Sequence, residues 1–272
     1  MSFDREKCPV KLPSFDLTDK VAIVTGSTKG LGYGIVMAFA AHGAKVVITS
    51  RHQEDCDRVV KEVEDLGGEA LGVATDVQEK AQVEALVEKC VERFGRLDIL
   101  VNNAGVAITK KIVDLEEKEY NTMMDSNLRS VFFGAQAAAK QMIRQNEEGR
   151  GDGGKIINMC SIGGVKGNNG VAVYGASKAG AINLTKSLAW ELARYHITAN
   201  AICPGYVVTE MNHSQLIDTN FGEKQLLNIP LRRFGTVDEI AALALFIASD
   251  SCNMLNGEYI IADMGATLGG NI

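Results

Sequence analysis

The chain is poor in the features that mark a special environment. Aromatic residues make up only 6% of its 272 residues, and proline occurs 4 times. That composition excludes a Pro-rich linker, a collagen-like repeat or a low-complexity chain. Its six cysteines are Cys8, Cys56, Cys90, Cys160, Cys203 and Cys252. They form no C-x-x-C pair and stand near no histidine at ligand spacing, so no metal site and no disulfide framework is expected. Reduced thiols in the cytoplasm are the expectation instead. Basic runs are missing too: 28 Lys+Arg stand against 34 Asp+Glu, for a formal charge of -6. A nucleic acid or an anionic membrane is a poor match for such a surface. The longest apolar stretch, Ile240 to Ala248, is about half of the ~20 residues that span a bilayer. Asp4, Arg5, Glu6 and Lys7, with Pro9 and Pro13, leave no apolar core for a secretory signal.

What is present is ordinary α/β alternation. Residues 1–19 are polar and without a period, and are read as an arm, mobile or draped over the body. The body runs from 20 to 272 as one domain. Val21 to Thr25, Lys45 to Thr49, Ala70 to Ala74, Leu97 to Val101, Lys155 to Met159, Thr198 to Cys203 and Glu258 to Ala262 predict seven strands. Most are continuously apolar, which suits a parallel sheet covered on both faces. Between them lie amphipathic stretches such as Gln53 to Leu66 and Glu79 to Phe94, with apolar residues three and four apart. The pattern predicts a Rossmann-type, doubly wound parallel sheet.

The first strand runs into Thr25-Gly26-Ser27-Thr28-Lys29-Gly30-Leu31-Gly32, then into the helical stretch Ile35 to Ala41. A glycine turn between strand and helix lets backbone N–H groups approach a pyrophosphate. Its spacing is neither G-x-G-x-x-G nor a P-loop. Together with Asn102-Asn103-Ala104-Gly105, Ser161 and Tyr174-x-x-x-Lys178, in that order along the α/β pattern, it resembles the short-chain dehydrogenase/reductase family. The resemblance covers about Lys20 to the C-terminus.

That resemblance implies a nicotinamide cofactor held by Gly26, Ser27, Lys29, Gly30, Leu31, Gly32, Ser50, Arg51, Asp76, Val77, Asn103, Ala104, Gly105, Tyr174, Lys178, Pro204, Gly205, Val207 and Thr209. Strand two ends in Thr49-Ser50-Arg51, where an NAD enzyme would offer an acid to the ribose 2′-hydroxyl. A guanidinium with the Lys29 ammonium suits a 2′-phosphate, so NADP(H) is expected. Asp76 matches the family's adenine-contacting Asp, and its local alternative is an N-cap for the helix near Glu79. In Pro204-Gly205-Tyr206-Val207-Val208-Thr209, the backbone near Val207 and the Thr209 hydroxyl match the binders of the carboxamide.

Tyr174 and Lys178 are i, i+4 and share a helix face. An ammonium near a phenol favours the phenolate. Tyr174 is thus expected to take the alcohol proton in oxidation, or to give one to the ketone in reduction. The family resemblance makes Lys178 a holder of the nicotinamide ribose and Ser161 a hydrogen-bond donor to the substrate oxygen. It makes Asn127 the anchor of a water joining the lysine to solvent. Gly175-Ala-Ser177-Lys-Ala179 nearly spells a nucleophile elbow, but it lies on a helix and ends in Ala. Cys160 and Cys203 are read as small core thiols, Asp98 as a structural acceptor, and Trp190 as core or subunit interface.

Residues 206–235 are expected to form a substrate lid with apolar members Tyr206, Met211, Leu216, Ile217, Phe221, Leu226 and Leu227. The family's carrier-dependent members place an Arg at the end of the Tyr-bearing helix, where this chain has Arg194-Tyr195, but the loop before strand five offers Glu147 and Glu148, offset by Arg144 and Arg150. With the net acidity this leans toward a free cyclic ketone, of hydroxysteroid type, as a small-molecule substrate. The alternatives are a 3-oxoacyl-[acyl-carrier-protein] reductase, a sugar or polyol dehydrogenase and, in another class, a non-catalytic NADP-binding sensor. The family resemblance further implies a homotetramer.

Overall fold

The computed structural model describes residues 12–210 and 212–269. Seven strands form one sheet: β1 (Val21–Val24), β2 (Lys45–Ser50), β3 (Ala70–Ala74), β4 (Ile99–Asn102), β5 (Gly154–Met159), β6 (Ile197–Pro204) and β7 (Tyr259–Ala262). Their order is β3-β2-β1-β4-β5-β6-β7, and every neighbouring pair is parallel. The order reverses direction between β1 and β4. Crevices for ligands open at the strand C-termini beside such a reversal.

The helices are α1 (Gly30–Ala41), α2 (Gln53–Asp65), α3 (Lys80–Phe94), α4 (Glu117–Met124), α5 (Ser130–Glu147), α6 (Ala172–Leu192), α7 (His213–Leu216), α8 (Asn220–Asn228) and α9 (Val237–Ala248). They cover both faces of the sheet. One core cluster joins alternate strand residues Ala22, Val24, Val46 and Ile48 to Ile35, Val36 and Phe39 of α1, Val59 of α2 and Ile240 and Ala244 of α9. The other joins Val21, Ile23, Val47 and Leu100 to Leu86 and Val87 of α3 and Ala135, Ala138 and Met142 of α5. Burying each Val, Leu or Ile stabilises the fold by roughly 1.5–3 kcal/mol. This two-sided burial explains why the strands are apolar throughout.

Several boundaries differ from the expectation. Helix α1 begins at Gly30 rather than Ile35, because the glycine turn itself sets the helix start. Strand β4 begins at Ile99 rather than Leu97, since Asp98 is used as an acceptor. Its Oδ2 takes the Val21 N–H at 2.9 Å and its two oxygens hold Arg96. Helix α6 begins before Tyr174, and its last turn tightens at Ala193–Tyr195. Trp190 is 87% exposed, so it is no core residue of the chain. Residues 1–11 of the expected arm, with Cys8, lie outside the described residues. Leu17, within residues 12–19, is buried, and Ser14 and Ser251 exchange hydrogen bonds of 2.8 and 2.7 Å. No helix among the described residues is long and apolar enough to cross a membrane.

Candidate active site

At the end of β1 the chain turns through Gly26 and Gly30 at φ +62° and +58°, the left-handed region glycine enters most readily. Helix α1 then starts behind Lys29, which provides no side-chain cap, and its first turn holds no acid. The leading N–H groups are free to face an anion, as a pyrophosphate site requires. A Cβ on Gly32 would lie 2.4 Å from the Gly26 carbonyl oxygen and 2.5 Å from Asn103 Nδ2. The third glycine therefore serves the packing of the turn. Asn103 Nδ2 donates to the Thr25 and Gly26 carbonyls at 2.9 Å each. Thr25 Oγ1 accepts from the Asn103 and Ala104 N–H groups at 2.9 and 3.0 Å. Strand β4's exit is thus bonded to the glycine turn.

Ser27 points away from this crevice. Its hydroxyl donates to Val24 O at 2.7 Å and accepts from the Thr49 N–H at 3.0 Å, and its own N–H donates to Thr49 O at 2.9 Å, so Ser27 ties the turn to β2. Arg51 and Lys29 are exposed and lack a carboxylate partner among the described residues. Arg58, on α2, was not foreseen. It donates to Thr28 O at 2.8 Å while paired with Glu62, and so pins the turn from outside. Its signal in the sequence was only its place on the same helix face as Glu62, which says nothing about a contact 30 residues away. Asp76 does not cap α3, which starts at Lys80 behind Glu79. Instead its Oδ1 accepts the Gln78 N–H at 3.0 Å, closing a local turn.

Tyr174 stands in the first turn of α6, and Lys178 follows one turn later. Lys178 is buried, donates to Met159 O at 2.7 Å and holds its ammonium 6.0 Å from the Tyr174 ring centre. Ser161 caps the short turn Ile162–Gly164 by accepting the Gly163 N–H at 3.0 Å. A Cβ on Gly163 would be 3.3 Å from the Tyr174 ring and 3.4 Å from Ser161 Oγ, and one on Gly164 would strike the Lys178 backbone at 2.7 Å. Two adjacent glycines thereby bring Ser161, Tyr174 and Lys178 together. Neither was singled out beforehand, because the helix they touch lies more than ten residues on.

Asn127 sits in a widened, π-type turn, Asp125–Arg129, that joins α4 to α5. Extra residues of this kind mark functional sites often. Its side chain is fully buried. Oδ1 accepts the Val106 N–H at 2.8 Å, and Nδ2 donates to Val106 O at 2.8 Å and to Ser177 Oγ at 3.1 Å. The amide is thus committed to the protein. Ser177 in turn donates to Tyr174 O at 2.7 Å. It lies inside α6, not on an elbow, and ties Asn127 to the helix that carries Tyr174 and Lys178. A Cβ on Gly105 would come within 2.9 Å of Asn127 Oδ1 and 3.3 Å of Lys178 Nζ. Glycine at 105 therefore lets the exit from β4 come close to both the Asn127 amide and the Lys178 ammonium.

On the far side, β6 ends at Pro204. A Cβ on Gly205 would meet Asp263 Cβ at 2.7 Å, so the exit from β6 needs glycine. The Thr209 side chain approaches Gly30, whose Cβ would lie 3.6 Å away, while Asn212 holds Thr209 N and Val207 O at 2.8 Å each. Residues 206–235 leave and return at one point: Val207 bridges Gly235 in parallel, with Val208 N donating to Gly235 O at 3.1 Å. The Tyr206 ring packs edge-on against Phe221 and Phe234. Burial pushes its phenol up, while a hydrogen bond from Asn168 pulls the other way. Leu216 is buried, whereas Phe221 and Leu227 are exposed. Met211 lies outside the described residues. Among those residues, no group of three His, Cys, Asp or Glu could hold a metal.

A doubly wound sheet, a glycine turn at its reversal and a Ser, Tyr and Lys gathered on the neighbouring crevice define a nicotinamide-dependent oxidoreductase. Residues 26–267 match a family model described as enoyl-(acyl carrier protein) reductase. The chain belongs to the short-chain dehydrogenase/reductase family and acts on CH–OH groups. It is 36% identical over 252 residues to the 3-oxoacyl-[acyl-carrier-protein] reductase FabG of Thermotoga maritima, covering 93% of this chain and 99% of that one. The FabG of Staphylococcus aureus strain Mu50 is 37% identical over 247 residues, covering 90% and 97%. Among solved structures, a Sinorhizobium meliloti protein assigned as a short-chain alcohol dehydrogenase superposes with a TM-score of 0.89 at 36% identity, covering 95% and 100%. One from Agrobacterium tumefaciens, assigned as a gluconate dehydrogenase, gives 0.87 at 33%, covering 93% and 97%.

Proposed function

We propose that the chain reduces the 3-oxo group of an acyl thioester to a secondary alcohol with NADPH. The observation that carries this reading is the 36 to 37% identity, over nine-tenths of the chain, to relatives named for that reaction. The relatives favour it over a free cyclic or steroid-like ketone. The lean toward a free ketone rests on Glu147 and Glu148 and on net charge, but Glu148 is paired with Arg150, and a carrier would read only the local patch it touches. Arg194, at the end of α6, is one exposed cation without a carboxylate partner among the described residues; its guanidinium lies 4.6 Å from the Tyr195 ring centre.

A bound nicotinamide supplies the hydride in this reaction. Ser161 and Tyr174 hold the substrate oxygen by hydrogen bonds, fixing the ketone in the crevice. The Tyr174 O–H gives its proton to that oxygen as negative charge grows there. Lys178 places a positive charge beside the phenol and favours its deprotonated form once the proton has gone. Gly26, Gly30, Gly32 and the free start of α1 form the phosphate cradle, and Arg51 with Lys29 would hold a 2′-phosphate. Asp76, Val77, Asn103, Ala104, Gly105, Pro204, Gly205, Val207 and Thr209 line the rest of the crevice. Residues 206–235 act as the substrate lid. The five described cysteines are free, which suits a reducing cytoplasm. A homotetramer is part of the same reading.

The test is an assay with NADPH and NADH over acyl thioesters, cyclic ketones and sugar ketones. NADPH with a 3-oxoacyl thioester is expected to turn over fastest. Tyr174→Phe should lose at least a hundredfold in kcat while still binding NADPH, and Arg51→Ala should lose its preference for NADPH over NADH. Wild-type preference for NADH, or near-normal rates in Tyr174→Phe, would overturn the cofactor or the catalytic reading respectively. A non-catalytic sensor would instead bind NADPH and turn over none of these substrates in wild type.

A further inference from the structure

Two buried thiols lie side by side at the C-terminal ends of β5 and β6. Strands β5 and β6 pair Met159 with Ile202, so the next positions, Cys160 and Cys203, fall opposite one another. The Cys160 N–H donates to Ile202 O at 2.7 Å, which keeps the two chains in register beyond the end of β5. Cys203 is 0% and Cys160 5% exposed, and both sulfurs pack with Ala181, Ile182 and Ala201.

The surroundings make the two sulfurs unequal. The neighbouring Cys203 thiol holds Cys160 below its ordinary value, against burial and with help from the Lys178 charge. The Cys160 neighbour, with burial, pushes Cys203 up. Of the two, Cys160 is the one that loses its proton more readily. Thiolates, not thiols, attack oxidants.

We propose that Cys160 and Cys203 form an oxidation site that a hydroperoxide closes to a disulfide, and that closure switches catalysis off. In the first step the Cys160 thiolate attacks a peroxide oxygen. An S–O bond forms, the O–O bond breaks, and the departing oxide takes a proton and leaves as water or alcohol. The Cys203 sulfur then gives up its proton and attacks the Cys160 sulfur. An S–S bond forms, the S–O bond breaks, and the hydroxide takes that proton and leaves as water. Two thiols are oxidised by two electrons and one hydroperoxide is reduced.

Geometry explains why closure would be felt at the site. Neighbouring strands stand about 4.8 Å apart, within the Cα separations of about 4.4–6.8 Å that disulfides span. Their Cβ atoms must close to about 3.8 Å, so the two chains have to draw together. Each thiol is flanked by groups that cannot follow without cost. Met159 O, which receives Lys178, precedes Cys160, and Ser161 follows it. Pro204 and Gly205, against Asp263, follow Cys203. A misplacement of about 1 Å at reacting groups can cost on the order of a hundredfold in rate.

The loss of activity rests on the catalytic reading above; the linkage does not. The full-length protein is treated with hydrogen peroxide, its remaining thiols are alkylated, and its unreduced peptides are read by mass spectrometry alongside activity. The expected result is a Cys160–Cys203 cross-linked peptide, a fall of at least tenfold in kcat, and recovery of both with dithiothreitol. Cys203→Ala should show no cross-link and no dithiothreitol-reversible loss in step with one. Absence of the linked peptide from oxidised wild type, however Cys203→Ala folds, overturns the site. The linked peptide with undiminished turnover overturns the switch.

Discussion

Ser177 occupies the position where two parts of the active site meet. Its hydroxyl donates to the Tyr174 carbonyl at 2.7 Å and accepts from Asn127 Nδ2 at 3.1 Å. Ser177→Ala leaves that Nδ2 its second partner, Val106 O, so the variant is expected to fold. What it loses is a tie worth about 1 kcal/mol, or roughly a fivefold to tenfold drop in kcat, with a displaced pH profile. Ser177→Thr should restore both. A kcat and pH profile equal to wild type in Ser177→Ala would leave the serine with a packing role alone. The placement of Tyr174 beside Lys178 was legible because the two stand at one spacing on one helix. Ser177, Arg58 and Gly163 were not, because each acts on a neighbour that only folding brings near.

Helix α9 shows how a single end can carry several jobs. Thr236 accepts the Glu239 N–H, and Glu239 Oε2 accepts the Thr236 N–H at 3.0 Å, completing a capping box. The same carboxylate binds Arg233 at 2.6 Å, in the segment where residues 206–235 return to the body. The Arg233 guanidinium and the Thr236 N–H hold Glu239 at about 2 against an ordinary 4.5. A depressed acid contributes its stability fully above its unfolded value and loses it as pH falls through the folded one. Wild-type Tm should therefore fall from about pH 4.5 toward about 2 more steeply than that of Glu239→Gln. The exposed setting keeps the difference at pH 7 small. Circular dichroism melts across that range decide it, and parallel curves would sink the assignment. The strands were legible as continuous apolar runs because both sheet faces are covered. The π-type turn at Asn127 left no trace in the sequence, since widening a helix by one residue changes no periodic pattern that a short window can resolve.

Among the described residues, the sheet ends on an uncovered apolar edge. Strand β7 closes the sheet with Tyr259 and Ile261 each 38% exposed, and Trp190 is 87% exposed on α6. The two regions adjoin: Lys186 of α6 lies 4.9 Å from the Tyr259 ring centre, and Asn256 donates to Ala189 O at 3.0 Å. An exposed strand edge with apolar side chains invites a partner. Light scattering after size exclusion is expected to give the mass of four chains, and Ile261→Asp with Trp190→Lys should give a smaller one. A wild-type monomer would remove the basis for the tetramer. The single domain was legible in the sequence from its uninterrupted alternation of strand and helix. Which exposed residues share one surface was not, because their proximity depends on how β7 docks beside β6.

The bridge between Val207 and Gly235 makes the intervening segment an interchangeable cassette. Both of its ends are fastened to the scaffold at one point, so its length and side chains can change without disturbing the sheet. Doubling such a loop costs only about 0.6 kcal/mol in closure entropy. On the proposed reading, new substrates are acquired by exchange of this one segment, while the residues proposed to move the proton and hold the nucleotide stay in place. Chemistry and recognition can thus diversify on separate timetables within one chain.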